Sequence, residues 1–299
     1  MRNRKPIFIA GFARGGSNIV LNFFLSHPDV CLPRGETQEV FRGAAGEGFA
    51  TRWAKRLRYF PVAMMEREDV LDNRNWRPRR PFSRLTMVQI DRIYHAEKLR
   101  ATGPGQNMYK AENVRYTQQE IRTSRLLAKI LNGLIFVSPQ YARMYPDATF
   151  IGLVRHGLAV CEGHIRRGYE AGDIAKKYAA ACSAMIADER RLPRYRIFRY
   201  EDIVADPVSA LHRMYEFADL DPERVPKIRM ETKRVMGADG SREFIGGASS
   251  KEMMWCTKND VRRFVREDAN SNQIRRLTAE QRSVIIEQCG ESLEHFGYR

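Results

Sequence analysis

Residues 6–28 read PIFIAGFARGGSNIVLNFFLSHP. The apolar run Ile7–Ala10 stops at Gly11, and small and basic residues follow it. Ile19, Val20, Phe23 and Phe24 then recur at helical spacing until His27-Pro28 closes the pattern. Strand, glycine-rich turn and helix in this order point backbone N–H groups and a helix N-terminus at a phosphate or sulfate. Gly11, Gly15 and Gly16 allow the tight turn and the close approach of an anion. Ser17 is expected to cap the helix and to add a hydroxyl donor.

The kind of anion follows from the side chains. A nucleotide-hydrolysing phosphate loop reads G-x-x-x-x-G-K-[ST], with the lysine on the terminal phosphates. Gly11 and Gly16 have that separation, but Ser17 stands where the lysine belongs and the cation has moved forward to Arg14. An arginine inside the turn grips a sulfonate or phosphate bidentately without a metal. This departure tells against an ATPase.

The chain of 299 residues carries a formal net charge of +15 and has a pI near 9.8. Such a balance favours anionic ligands, with nucleic acid and acidic membrane as the broader classes to weigh. Five scattered cysteines form no CxxC pair, and the six histidines form no HExxH pattern. Neither composition suggests a metal site, and the cysteines suit a reducing cytoplasm. MRNRKPIFIAG enters the first strand at once, so no signal peptide is expected, and no run reaches the roughly 18 apolar residues of a membrane span.

Farther along, Val30–Leu32 reads as a short strand. Residues 42–84 interleave arginine with aromatics (RWAKRLRYF, RNWRPRRPF), and with the stretch to residue 105 they suggest an insertion or lid forming the acceptor-side wall. Residues 84–100 read as helix, Gly103-Pro104-Gly105 as a turn, and Asn107–Ala111 as the third strand with Lys110 near its end. Helices are expected over 117–131, 138–145, 157–168, 174–192, 207–220 and 278–296, and strands over 148–154 and 195–198. Alternating strands and helices imply a single α/β domain, a P-loop-type three-layer sandwich whose mostly parallel sheet is flanked by helices.

A second anion site is legible in FIGLVRHGLAVCEGHIRRG, residues 150–168. The strand delivers Arg155 at its carboxyl end, where open parallel sheets bind ligands. Gly163 and Arg167 are four apart and share a helix face. Arg155 and Arg167 are placed to converge on one phosphate, while His156 and His164 are read as structural.

GFARGGSN, followed by its helix and HPDV, resembles the 5′-phosphosulfate loop of the sulfotransferases, usually G-x-P-R-S-G-T-T, and is most similar to the tyrosylprotein enzymes. Arg14, Gly16 and Ser17 match, whereas Ala13, Gly15 and Asn18 depart. Residues 154–167 resemble the family's V-R-D-G-R-A-S-V-H-S-x-I-x-R, matching it at Val154, Arg155, Gly157, Ala159, Ile165 and Arg167; His156 replaces an Asp, and Gly163 replaces a serine that contacts a 3′-phosphate. RYEDIVADP, residues 199–207, resembles a third block and would set Tyr200 against adenosine. The resemblance implies transfer of a sulfuryl group from 3′-phosphoadenosine 5′-phosphosulfate (PAPS) to a hydroxyl or phenol acceptor, with adenosine 3′,5′-bisphosphate (PAP) as product. The acceptor would be a tyrosyl peptide, a glycan or a small molecule; no nucleic acid partner is expected, and a homodimer is compatible with the reading.

Under that resemblance Arg14, Gly15, Gly16, Ser17, Asn18, Arg155, Gly163, Arg167 and Tyr200 bind the nucleotide. Ser249 and Lys251, in the loop-like GGASSKEMMW, close over it. Sulfuryl transfer needs a cation near the bridging oxygen and a base for the acceptor's proton. Arg14 and Lys110 are the expected cations, and Glu36, in GETQ, is the expected base with Glu39 as second choice. A P-loop kinase-like phosphoryl transferase and a non-catalytic polyanion- or membrane-binding protein are the competing readings; they predict magnesium-dependent ATP binding and steeply salt-dependent polyanion binding respectively.

Overall fold

Ile7–Gly11 (β1) is buried along its whole length and lies at the centre of a five-stranded parallel sheet. The computed structural model describes residues 2–34, 50, 53, 81–101, 108–232, 234–236, 241–245 and 248–298. After β1 come Ser17–Leu25 (α1), Val30–Cys31 (β2) and Arg84–Arg100 (α2). A small hairpin, Tyr109–Ala111 (β3) with Val114–Arg115 (β4), leads to Gln118–Thr123 (α3) and Arg125–Leu131 (β5). Ser138–Met144 (α4), Thr149–Val154 (β6), Gly157–Ile165 (α5), Ala171–Arg191 (α6) and Tyr195–Arg199 (β7) complete the sheet and its main cover. Beyond it lie Tyr200–Ala205 (α7), Pro207–Phe217 (α8) and the paired strands Lys227–Glu231 (β8) and Met253–Thr257 (β11). Between those two runs a short pair, Arg234–Met236 (β9) and Arg242–Phe244 (β10); Ala269–Ile274 (α9) and Ala279–His295 (α10) follow.

The strand order is β2-β5-β1-β6-β7. Register aligns Gly11 with Leu131 on one side and with Leu153 on the other, so β1, β5 and β6 end together. Alternation along β1 explains its central place: Phe8 and Ala10 face one apolar layer, while Ile7 and Ile9 face a second with Val20, Phe23 and Phe24 of α1. This confirms the expected α/β architecture with helices on both faces of a parallel sheet.

Three local expectations are corrected. Residues 117–131 are not one helix: α3 ends at Thr123, Ser124 adopts extended backbone, and RLLAKIL becomes β5. Leu126, Leu127, Ala128 and Ile130 are all buried, so the run is apolar on both faces, a pattern shared by buried helices and central strands. Burial between β2 and β1 decides for the strand. Second, among the described residues the strand around Lys110 pairs only with Val114–Arg115, outside the main sheet. Third, Ser17 is the first helical residue and Gly16, at φ 93°, is the cap, with no side-chain cap bond.

Asp188 on α6 is only 5 % exposed. Burial raises its carboxyl to about 7, opposed by Arg191 and Ser138. The unfolded chain therefore sheds this proton near the ordinary carboxylate range while the folded chain keeps it, and stability falls as pH rises from about 4 to 7. Asp188→Asn is expected to stabilise the protein at pH 8 by roughly 2–4 kcal/mol, at 1.36 kcal/mol per pKa unit, and to leave it unchanged at pH 4. Urea titrations at both pH values check this; equal midpoints at pH 8 would contradict it.

Candidate active site

The turn after β1 is held at nearly every residue. The Ala13 amide donates to Asn132 Oδ1 at 2.8 Å, and Gly15 N–H to the Phe12 carbonyl at 3.0 Å. His164 Nε2–H donates to the Ala13 carbonyl at 3.1 Å, and the ring meets Phe12 edge-on. Burial lowers the basicity of His164, in keeping with a neutral ring that anchors the loop. Arg14 has φ 72°, a left-handed conformation costly for a side-chain-bearing residue, and Gly16 has φ 93°. Positive φ at these two positions with Gly15 between them is the backbone pattern of an anion-binding nest. The Ser17 and Asn18 amides follow, at a helix start that offers them no intrahelical acceptor, while the Ile19 amide turns back to the Gly16 carbonyl at 2.9 Å.

Gly16 is required for a second reason. A Cβ there would lie 2.3 Å from Tyr200 Cδ2, so the Tyr200 ring closes directly over the loop. Tyr200 is 6 % exposed, and the Arg155 guanidinium lies 4.5 Å from the centroid of its ring. Tyr200 thus links loop and arginine by packing.

Arg155 follows the end of β6, and its Nη1 donates to the Arg14 carbonyl at 2.9 Å. The two expected anion sites are therefore in direct contact. They line one cleft of about 320 Å³ with Gly16, Ser17, Asn18, Arg166, Arg167 and Tyr200. Gly163 leaves space for the Arg14 stem: a Cβ there would sit 3.3 Å from Arg14 Cγ. A serine at 163 would need Arg14 to shift by a few tenths of an ångström. Burial lowers the pKa of His156 against the opposing pull of Glu201. Lys251 pairs with Glu231 at 2.9 Å on the cleft wall, and Ser249 is exposed nearby in sequence.

Lys110 does not join this cleft. It pairs with Glu120 and lines a separate cavity of about 840 Å³ with Ser26, Asp29, Arg125 and Asp219, near the amino ends of the strands. The reason is the hairpin: β3 never enters the main sheet, so its end does not reach the sheet's carboxyl edge. Lys129 of β5 does reach the start of α1, where its Nζ donates to Asn18 Oδ1 at 3.1 Å. Reading 117–131 as helix concealed it. Glu36, Glu39, most of the arginine–aromatic stretch 42–84 and the turn at 103–105 lie outside the described residues.

Sequence reasoning also missed Asn270 and Gln273 on α9, which both accept hydrogen bonds from Arg155. Their i, i+3 spacing on a helix was the available signal. Among the described residues no cluster of His, Cys, Asp and Glu is arranged to hold a metal, and no helix is long and apolar enough to cross a membrane.

Two solved structures share this architecture. The sulfotransferase domain from the Synechococcus PCC 7002 olefin synthase superposes with a TM-score of 0.51 at 17% identity, covering 100% of this chain and 97% of that one. The sulfotransferase domain from the curacin biosynthetic pathway gives 0.50 at 14% identity, covering 97% of this chain and 99% of that one. At these identities the likeness is one of fold. No protein curated for function matches the chain significantly. The family model described as the sulfotransferase family matches residues 6–224. That span takes in the loop, Arg155 and Tyr200 alike, and the chain therefore belongs to the sulfotransferase family.

Proposed function

We propose that this sulfotransferase uses PAPS as donor, moves its sulfuryl group to a hydroxyl or phenol oxygen by in-line displacement, and releases PAP. The observation that carries the reading is the Arg155–Arg14 hydrogen bond, which joins two anion-binding elements in one cleft. A nucleotide with phosphates on both its 3′ and 5′ positions matches such a pair. The donor set fits as well: Arg14, Arg155, Arg166 and Arg167 line the cleft, and Glu231 is the one acidic lining residue among those described, already paired with Lys251. A nucleotide with an anionic group at each end supplies counter-charge to these arginines, of which Arg166 already pairs with Glu162 at 3.3 Å.

The chain's own residues then divide the work. The nest at Arg14–Gly16 and the first turn of α1 hold the 5′ end, and Arg155 with Arg167 holds the 3′-phosphate. Arg14 and Lys129 offset charge on the transferring oxygens and on the departing phosphate, the main contribution a protein makes to in-line transfer. Glu36 takes the acceptor's proton as the new O–S bond forms and the bridging O–S bond breaks, which balances the exchange. Ser17 in place of a loop lysine speaks against the kinase-like alternative.

The test is a transfer screen with sulfur-labelled PAPS across tyrosyl peptides, glycans and small phenols, beside a parallel screen with γ-labelled ATP and magnesium. Label from PAPS on at least one acceptor is expected. Label from ATP with none from PAPS would favour the phosphoryl-transferase reading.

A further inference from the structure

The helix α9 lies beyond the span of the family match, yet two of its side chains hold the central arginine of the cleft. Arg155 Nε donates to Asn270 Oδ1 at 2.7 Å, and Nη2 donates to Gln273 Oε1. The orientation of both amides is settled by their other ends. Asn270 Nδ2 donates to Glu201 Oε1, which also accepts the His156 amide at 3.0 Å, while Glu201 Oε2 accepts from Tyr298 Oη at 2.6 Å. Gln273 Nε2 donates to Glu162 Oε2 at 3.0 Å and to the Ala159 carbonyl at 3.2 Å. With each NH₂ facing a carboxylate, each amide oxygen must face Arg155.

Two consequences follow from that arrangement. A guanidinium has five N–H donors, and Asn270, Gln273 and the Arg14 carbonyl take three. One N–H on each Nη is left over, and Arg155 lines the cleft. Second, the side chains that grip Arg155 are neutral. Glu201 and Glu162 stand one amide farther back, so they orient the holders without placing a carboxylate on the guanidinium. Its charge stays available to an anion in the cleft, as a direct carboxylate partner would not allow.

We propose that Asn270 and Gln273 are positioning residues that determine selectivity for a nucleotide 3′-phosphate, by fixing Arg155 with its charge uncompensated. The proposal rests on the nucleotide reading given above. The test is calorimetric titration of PAP and of 5′-AMP into the wild type, Asn270→Ala, Gln273→Ala and Arg155→Ala. Losing one charged hydrogen-bond partner is expected to weaken PAP about tenfold in each amide variant. Affinity for 5′-AMP stays within about twofold, because Arg155 still holds the Arg14 carbonyl, and the PAP preference over 5′-AMP collapses accordingly. Gln273→Ala leaves the Glu201 contact intact and provides a second route if Asn270→Ala folds poorly. Equal losses for both nucleotides, or PAP affinity unchanged in both folded variants, would overturn the proposal. A wild type that bound neither nucleotide would instead sink the donor reading, and the selectivity role with it.

Discussion

Alanine at Lys129 is expected to slow sulfuryl transfer about 10²–10³-fold while leaving the affinity for PAP within about threefold. Lys129 projects from β5, and its Nζ donates to Asn18 Oδ1 at 3.1 Å. That contact sets its charge beside the first turn of α1, whose Asn18 lines the cleft that holds Arg14 and Arg155. A cation placed there acts mainly on charge that builds as the bridging bond breaks, so its loss falls on turnover more than on ground-state binding. Lys129→Arg keeps the charge but alters its shape and reach, and partial recovery is expected. Single-turnover kinetics beside PAP titration separate the two effects. A variant losing PAP affinity in step with its rate would place Lys129 in binding alone. Lys110→Ala serves as the contrast, because Lys110 sits in the other cavity and its removal is expected to leave the rate near wild type.

Glu36→Gln is expected to reduce turnover by about 10²–10⁴-fold with PAP affinity nearly intact. The amide keeps the shape of the carboxylate but cannot accept the acceptor's proton. The dependence on acceptor acidity is the sharper readout. If Glu36 is the base, an acceptor phenol of lower pKa needs less help and loses less rate on substitution. Near-normal turnover in Glu36→Gln would transfer the test to Glu39. Full activity in both variants would remove this loop from the acceptor side.

How much of the site was legible in the sequence depended on where its parts lie. The loop and the arginine after β6 are local features: a strand end, a glycine-rich turn, and a helix start written in consecutive residues. Arg14, Gly16, Ser17, Arg155 and Arg167 could therefore be named from spacing, and the structure brings them to one cleft. The contacts that join them are not local. Arg155 reaches Arg14 across 141 positions and Asn270 across 115. Nothing in either segment alone announces such a pairing.

Lys129 shows a different limit. RLLAKIL carries buried residues on both faces, so its periodicity does not separate a central strand from a buried helix. Its place between β2 and β1 does. The helix reading hid the strand that brings Lys129 to Asn18, and the lysine read from the sequence, Lys110, stands instead in the short pair β3–β4. Gly16 was legible as a turn residue, but the Tyr200 ring lying over it was not, since that contact needs the carboxyl ends of β1 and β7 brought close with β6 between them.

The central claim is that this cleft takes a nucleotide with phosphates at both the 3′ and 5′ positions, using arginines in place of a metal. Calorimetric titration of the wild-type protein with PAP in the presence of EDTA, beside ATP with magnesium, tests it most directly. Saturable one-site binding of PAP without metal is expected, with weaker or no binding of ATP–magnesium. Tight binding of ATP–magnesium with none of PAP would contradict it.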